Sequence, residues 1–429
     1  MTSVRLRLLI LALAPLIVLM PLLLYLGMTR WTSDYDNVLI ANVESDLRIA
    51  EQYLARIMAG TGGDLQSMAG SASFADAVAD GPTARDKFLL DRQAALGLDF
   101  LYFLPRGDAS EGTEWPVTSA ALDGRADTQI DIFSGSQLAA LPGDLAQRAR
   151  LDLIETEAAV PSDRTVEDRG MVVHSASPVR LPGADGAVVG GILLNRNLDF
   201  IDSINALVYL NAVTGGDRQG TATLFLEDVR VSTNVRLFED VRALGTRVSA
   251  EVRHQVLDEG RTWLDRAFVV NEWYISGYLP ITDSFGTRVG MLYVGFLEAP
   301  FTAAKRAAVW WMLAAFLAVL AISIPLFLWL AKGIFAPLER MTQIMRSVGR
   351  GDLAARIGDV GSKDEIGQVA AHLDNLLDQV QDRDRDLRAW ADELNSPLEE
   401  RTAELSEANE KLEATSRQLV MSEQQPAIG

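Results

Sequence analysis

Two stretches without a single charge constrain this chain more than any other feature. They are residues 8–29 and 307–331, 22 and 25 residues long. A helix rises about 1.5 Å per residue, so each can cross a hydrocarbon layer of about 30 Å. They divide the chain into a short N-terminus (1–7), a large segment (30–306) and a C-terminal part (332–429). Arg5 and Arg7 precede the first run, and Lys332, Arg340, Arg346 and Arg350 follow the second. Positive-inside bias therefore predicts both ends in the cytoplasm and residues 30–306 outside, in the periplasm of a Gram-negative cell. Trp310 and Trp311 near one end of the second run and Trp329 near the other stand where interfacial aromatics belong. The first run is too long for a signal-peptide core and no A-x-A site follows it, so it reads as an anchor. The bilayer is the first expected partner, and the bacterial inner membrane the expected location.

Composition removes several classes of function. The net charge is −19, which argues against nucleic acid, since such binding needs a basic face to displace counterions. There is no cysteine, so disulfides and thiolate metal sites are excluded. His174, His254 and His372 lie far apart, with no second ligand at a metal-motif spacing. No metal is expected. Residues 30–306 hold no recognisable nucleophile and base pair, which argues against an extracytoplasmic enzyme.

Within the outer segment, residues 30–69 predict a long helix. Val43, Leu47, Ala50, Leu54 and Ile57 follow a 4-3-4-3 spacing and form one seam, for this chain's own domain or for a partner. Gly60, Gly62 and Gly63 are expected to interrupt it. The remainder alternates strands and turns and repeats itself once. Pro178-Val179, a turn at 183–186 and a strand at 189–193 recur as Pro280-Ile281, a turn at 283–286 and a strand at 289–293. The offsets are 102 (280 minus 178) and 100 (290 minus 190). Each unit reads as a hairpin, with first strands expected at 100–104 and 221–226. Two tandem modules, 70–210 and 211–306, are the simplest account.

After the second apolar run come Pro337-Leu338-Glu339-Arg340, then Gly351-Asp352-Leu353 with Ile357, then Asp364-Glu365-Ile366-Gly367 and Leu373-Asp374-Asn375-Leu376. Leu338, Met341, Met345 and Val348 recur at helical spacing, as do Ile366, Val369, Leu373, Leu376, Leu377 and Val380. The pattern over 332–384 resembles the HAMP linker of bacterial transmembrane receptors. That resemblance implies a cytoplasmic parallel four-helix bundle made by a homodimer. The expected transmission residues are Pro337, Gly351, Leu353, Ile357, Asp364, Glu365, Gly367 and Asn375.

The outer segment resembles the double Cache fold of extracytoplasmic sensors, and the resemblance is strongest in its membrane-proximal half. The carrying stretches are Gly220-Thr221-Ala222-Thr223-Leu224-Phe225-Leu226, Arg230-Val231-Ser232-Thr233-Asn234-Val235, residues 242–249 and Gly290-Met291-Leu292-Tyr293-Val294-Gly295. These are similar to the Cache fusion domains that precede sensor kinases. The implied fold class is α+β: two transmembrane helices, a tandem Cache-like (PAS-like) mixed α/β ectodomain, and a cytoplasmic HAMP bundle with a coiled coil. Cache pockets lie between a sheet and its covering loops, so polar and aromatic residues near strand ends are the ligand candidates. These are Tyr102, His174, Ser175 and Arg180 in the distal module, and Arg230, Trp263, Trp273, Tyr274 and Tyr278 in the proximal one. An interior arginine favours a carboxylate ligand through its planar fork. Arg230 has a competing role, since it could instead bridge to Asp228 or Glu227. The Arg-x-Trp-Tyr element of the amino-acid-binding relatives is not seen.

From 385 to 424 a coiled coil is expected, with Leu398, Leu405, Leu412 and Leu419 at intervals of seven. Ser396-Pro397-Leu398-Glu399 reads as a capping box, so a kink or short break is expected at 395–397. Glu399-Glu400-Arg401-Thr402-Ala403-Glu404-Leu405 and Leu419-Val420-Met421-Ser422-Glu423 resemble the prelude to a histidine-kinase dimerisation domain, whose start is expected at 425–429. No His-Glu-x-x-Asn box and no glycine-rich ATP lid occur in the chain. A kinase partner would supply those parts, use ATP and Mg2+, and pass phosphate to a response regulator. No cofactor is expected for these residues themselves. A chemoreceptor-type adaptor is the alternative and would need a long methylated helical hairpin beyond Val380.

Overall fold

The computed structural model describes residues 10–11, 13–108, 115–209, 213–214, 217–218, 220–238, 241–362 and 364–422. The expectations for 1–7 and 425–429 fall outside these residues, as do the side chains of Leu394, Pro397, Leu398 and Leu419. Two compact units emerge, Tyr25–Trp310 and the pair Met1–Leu24 with Trp311–Gly429.

A π-helical turn, Pro15–Leu19, leads into helix α1, Met20–Ala69. Pro15 sits at its first position, where a missing N–H costs nothing. The expected seam is real, and it serves this chain's own domain. Val43, Leu47, Ala50 and Leu54 are buried against Ile130, Met171, Leu292 and Val294, with Ile57 packed alongside. The expected interruption by glycine is not there, because α1 runs unbroken through all three. Gly62 explains one of them. A Cβ at that position would stand 2.5 Å from Thr128 Oγ1, so the missing side chain lets the helix lie close on the sheet.

Short helices follow: α2 (Ala72–Ala79), α3 (Pro82–Leu96), α4 (Pro116–Leu122), α5 (Gly135–Ala140) and α6 (Leu145–Ala149). They surround an antiparallel sheet of β1 (Phe100–Pro105), β2 (Asp127–Phe133), β3 (Gly170–Leu181) and β4 (Ala184–Leu193), in the order β1-β4-β3-β2. The β3–β4 hairpin is the first repeat unit. Helix α7 (Leu198–Val208) buries Phe200, Ile201 and Ile204 in the core shared with the second sheet.

That second sheet has β5 (Gly220–Leu226), β6 (Val229–Thr233), β7 (Trp263–Val269), β8 (Glu272–Thr282) and β9 (Arg288–Leu297), in the order β6-β5-β9-β8-β7. The β8–β9 hairpin is the second repeat unit. One face packs on α1. The other is covered by α8 (Ala250–Arg253) and a π-helical turn, His254–Asp258.

Only Glu298 separates β9 from α9, Ala299–Val348. Helix α9 and the helix containing Pro15–Ala69 are each long and apolar enough to cross a membrane. After a connector comes α10, Glu365–Ser422. The break expected at 395–397 is absent, since α10 passes through it. A proline removes one helical hydrogen bond, and the long runs of helix on both sides hold the turn together.

Candidate functional site

Strand pairing builds one polar and aromatic site on the covered face of the second sheet. Trp263 pairs with Tyr278, Tyr278 with Tyr293, and Tyr293 with Thr223, forming a row across β7, β8, β9 and β5. One step along, Met291 pairs with Phe225 and Phe225 with Arg230 of β6. Tyr274, Ser276 and Tyr278 share a face because side chains alternate along a strand. Of the proximal candidates, Arg230, Trp263, Tyr274 and Tyr278 therefore come together. Trp273 does not: its parity turns it outward, where it is exposed with the Arg266 guanidinium 5.7 Å from its ring centre.

Arg230 is the unusual member, with only 2% of its surface exposed. Its Nη1 donates to Thr246 Oγ1 at 3.1 Å, and its guanidinium carbon lies 5.1 Å from the centre of the Phe225 ring. Its Nε has no partner. The carboxylates next to it in sequence are taken elsewhere. Asp228 accepts from Arg247 Nη2 at 2.6 Å, and Glu227 from Arg169 Nη1 at 2.8 Å. Among the described residues, no carboxylate forms a salt bridge with Arg230. Burial pushes its pKa down, against the Tyr278, Tyr293 and Tyr274 phenols, which favour the charged form. Burial pushes the Tyr278 and Tyr293 phenols up, so they remain neutral donors. Tyr293 was not among the sequence candidates, although its two-residue spacing from Met291 signals the shared face.

The distal candidates scatter. His174 and Asp131 are fully buried, with His174 Nδ1 2.7 Å from Asp131 Oδ2. Asp131 Oδ1 accepts from Ser284 N at 3.1 Å and Ser284 Oγ at 2.6 Å, which ties the tip of the β8–β9 hairpin to the first sheet. The edge-on rings of Trp115 and Phe133 flank His174. Tyr102 lies on the same side, its ring 6.2 Å from that of Phe100. Ser175 points the opposite way, toward α1, and pairs with Thr128 Oγ1 at 2.8 Å. Arg180 is exposed and reaches back to the Asp123 carbonyl. Among the described residues, Ser175 and Arg180 lie apart from Tyr102 and His174.

Between α1, β7 and the start of α9, a cavity of about 140 Å3 is lined by Asp36, Leu39, Arg266, Glu298, Phe301 and Lys305, among others. Lys305 pairs with Asp36, and Arg266 with Glu298 at 2.5 Å. The second turn of α9 is thus tied to α1, and the residue just before the helix to β7.

Beyond the apolar run, residues 349–364 connect α9 to α10. Pro337 and Met341 are buried on α9, and Ile357 packs with Met341 and Ala370. Leu353 is half-buried. Asp374 accepts from Ile357 N at 2.8 Å and Gly358 N at 2.9 Å, pinning the connector to α10. Asp364 Oδ1 accepts from Ile366 N at 3.0 Å and Gly367 N at 3.2 Å, and Glu365 adds a favourable charge to that first turn. A Cβ on Gly367 would collide with the Ser362 carbonyl, and Gly351 holds φ 101°. Asn375 is exposed.

Known proteins resemble the chain in two segments. Residues 192–308 match the family described as single cache domain 3, and residues 329–382 match the HAMP domain. No curated protein matches the chain. Among solved structures, the periplasmic domain of Vibrio cholerae LuxQ is 14% identical at a TM-score of 0.32, covering 59% of this chain and 98% of that one. The V. cholerae histidine kinase DctB sensor domain is 9% identical at 0.32, covering 61% and 98%. The ligand-binding domain of the Pseudomonas aeruginosa amino-acid chemoreceptor PctB, in complex with L-Arg, is 13% identical at 0.31, covering 62% and 97%. With a Cache segment and a HAMP segment joined by a helix able to cross a membrane, the chain is a transmembrane signal sensor with a Cache ectodomain.

Proposed function

We propose that this sensor works in a two-component system. Residues 30–306 face the periplasm and bind a small molecule, and both chain ends lie in the cytoplasm of the inner membrane. Binding changes packing at the start of α9, the HAMP segment converts that change between two helix arrangements, and α10 passes it to a histidine-kinase module. The ligand must bind the two arrangements with different affinity. The carrying observation is the direct join of β9 to α9 through Glu298, which leaves no flexible linker between sheet and membrane helix.

A homodimer is part of the reading. Leu338, Met345, Val369, Leu376 and Val380 are exposed in a single copy, and a parallel partner would cover them. The kinase assignment rests on α10, where Leu405 and Leu412 continue a seven-residue interval far beyond the connector. A chemoreceptor-type output is the alternative.

The test joins residues 1–424 in frame to the dimerisation and ATP-binding domains of a histidine kinase, in vesicles. ATP-dependent phosphorylation of the fusion should change when a molecule that binds the ectodomain is added on the outer side. Phosphorylation indifferent to every such molecule would refute this function.

A further inference from the structure

The geometry points to Asp131 as a clasp through which the first sheet steers α9: it grips the tip of the β8–β9 hairpin, so a shift on the first sheet reaches the membrane helix along β9. This rests on the sensor reading above and adds the route that the change takes. Asp131 has no exposed surface, and its carboxylate is occupied from two sides. On one side Ser284 donates through N at 3.1 Å and through Oγ at 2.6 Å. On the other His174 Nδ1 donates at 2.7 Å, since a carboxylate only accepts. A buried carboxylate is tolerated only while its hydrogen bonds are made. The hairpin tip therefore cannot move away from the first sheet without stranding that charge.

On the His174 side, Nε2 has no partner among the described residues, so Asp131 is the polar hold on a ring wedged between Trp115 and Phe133. Trp115 stands at the start of α4, and a movement of α4 or β3 therefore meets the carboxylate through one ring. On the other side the tip is stiff. Asp283 accepts from Phe285 N at 3.0 Å and Thr287 N at 2.8 Å, and its own N bonds the Thr287 carbonyl at 2.9 Å. Ile130 and Asp283 form a parallel bridge, and the Phe285 ring lies 5.6 Å from that of Trp115. From the tip, β9 runs ten residues, about 33 Å, to Glu298 and α9. Other polar contacts of the distal module land elsewhere. Arg169 reaches Glu227, Ile154 N reaches the Gly245 carbonyl, and the Val160 carbonyl accepts from Arg247. These hold the β5–β6 turn and the loop after β6, neither of which continues into α9.

The experiment uses the full chain in phosphatidylcholine nanodiscs. The chain has no cysteine, so L90C and A303C place one spin label on exposed α3 and one near the start of α9. Labelled chains are diluted with unlabelled ones, so the electron–electron distance is read within one chain. S284A removes the Oγ bond and keeps the backbone one, so the hairpin still docks. It should broaden the distance distribution and shift its mean by about 1–2 Å. S284T restores the hydroxyl and should restore the wild-type distance. T128A removes a hydrogen bond from the other face of the same sheet and should leave the distance unchanged. A second readout needs no label. H174F and S284A should each lower the melting temperature by a few degrees, and the pair should depart from the sum of the two by roughly 2 °C or more, because both act on one carboxylate. The clasp is overturned if S284A keeps the wild-type distance, if S284T fails to restore it, if T128A moves it as far, or if the melting shifts add. Neither readout involves a ligand or a kinase, so the clasp can fail while the sensor function stands, and the sensor function can fail while the clasp stands.

Discussion

Replacing Gly62 by alanine should destabilise the outer unit, although alanine is the better helix former. In an exposed helix interior, Gly→Ala gains about 1 kcal/mol. At Gly60 and Gly63 the new methyl meets nothing within 4 Å, so each change should deliver most of that gain. At Gly62 the methyl would stand 2.5 Å from Thr128 Oγ1. The threonine hydroxyl must turn away, and its 2.8 Å bond to Ser175 Oγ is lost. Overpacking costs about 1–3 kcal/mol and the hydrogen bond about 1 kcal/mol more. The balance is a loss of about 1–3 kcal/mol. Removing the obstacle should restore the gain: in a T128A background, G62A should stabilise by about 1 kcal/mol relative to T128A alone. The coupling in this cycle is then about 2–4 kcal/mol, well above the scatter of independent sites. Thermal unfolding of the full chain in nanodiscs reads these changes at roughly 2–4 °C per kcal/mol. G62A raising the melting temperature as much as G60A does would refute the close approach of α1 to the sheet.

Val270 adopts φ 60° at the turn between β7 and β8, a region that a β-branched residue enters at a cost of about 1–2 kcal/mol; V270N should raise the melting temperature by a few degrees. Glu167, buried yet bonded to Arg169 and Arg164, and Glu227, bonded to Arg169, both have pKa values held below the usual 4.5. Their stabilisation is present above pH 4.5 and is lost as pH falls through the lowered values, so E167Q should flatten the acid limb of a stability–pH profile. Asp46 shows the opposite sign, because burial pushes it up to about 6. Its contribution favours folding at low pH and fades as pH climbs through 6, so D46N should raise the melting temperature at pH 7.5 and leave it unchanged at pH 3. The chain has no cysteine, so M345C alone should form a disulfide-linked dimer in oxidised membranes, and a variant that stays monomeric on non-reducing gels would count against the homodimer.

The connector between α9 and α10 was legible because its determinants are local. Asp364 caps residues two and three positions later, and Asp374 reaches back only 17 residues. The seam on α1 and both hairpins were legible for the same reason, since period and turn chemistry lie within one stretch. What escaped is long-range. The contact of Asp131 with Ser284 spans 153 residues, and nothing in either neighbourhood announces it. Trp273 and Tyr274 look alike as candidates, and only the strand's parity puts one in the site and the other in solvent. The glycines of α1 misled because glycine both breaks helices and lets them approach a neighbour. The second role depends on Thr128, a residue 66 positions away (128 minus 62).

The single residue between β9 and α9 acts as a phase setting. A residue inserted beside Glu298 would turn everything downstream by about 100° relative to β9 and lift it about 1.5 Å, carrying the Met341–Ile357 contact round with the helix and leaving it intact. Seven inserted residues would bring it back to within about 20°. A receptor assembled by exchanging this ectodomain for another should therefore respond only when the count from the last paired strand residue to Met341 is kept, or changed by whole heptads. The length of α9, more than its composition, carries that requirement.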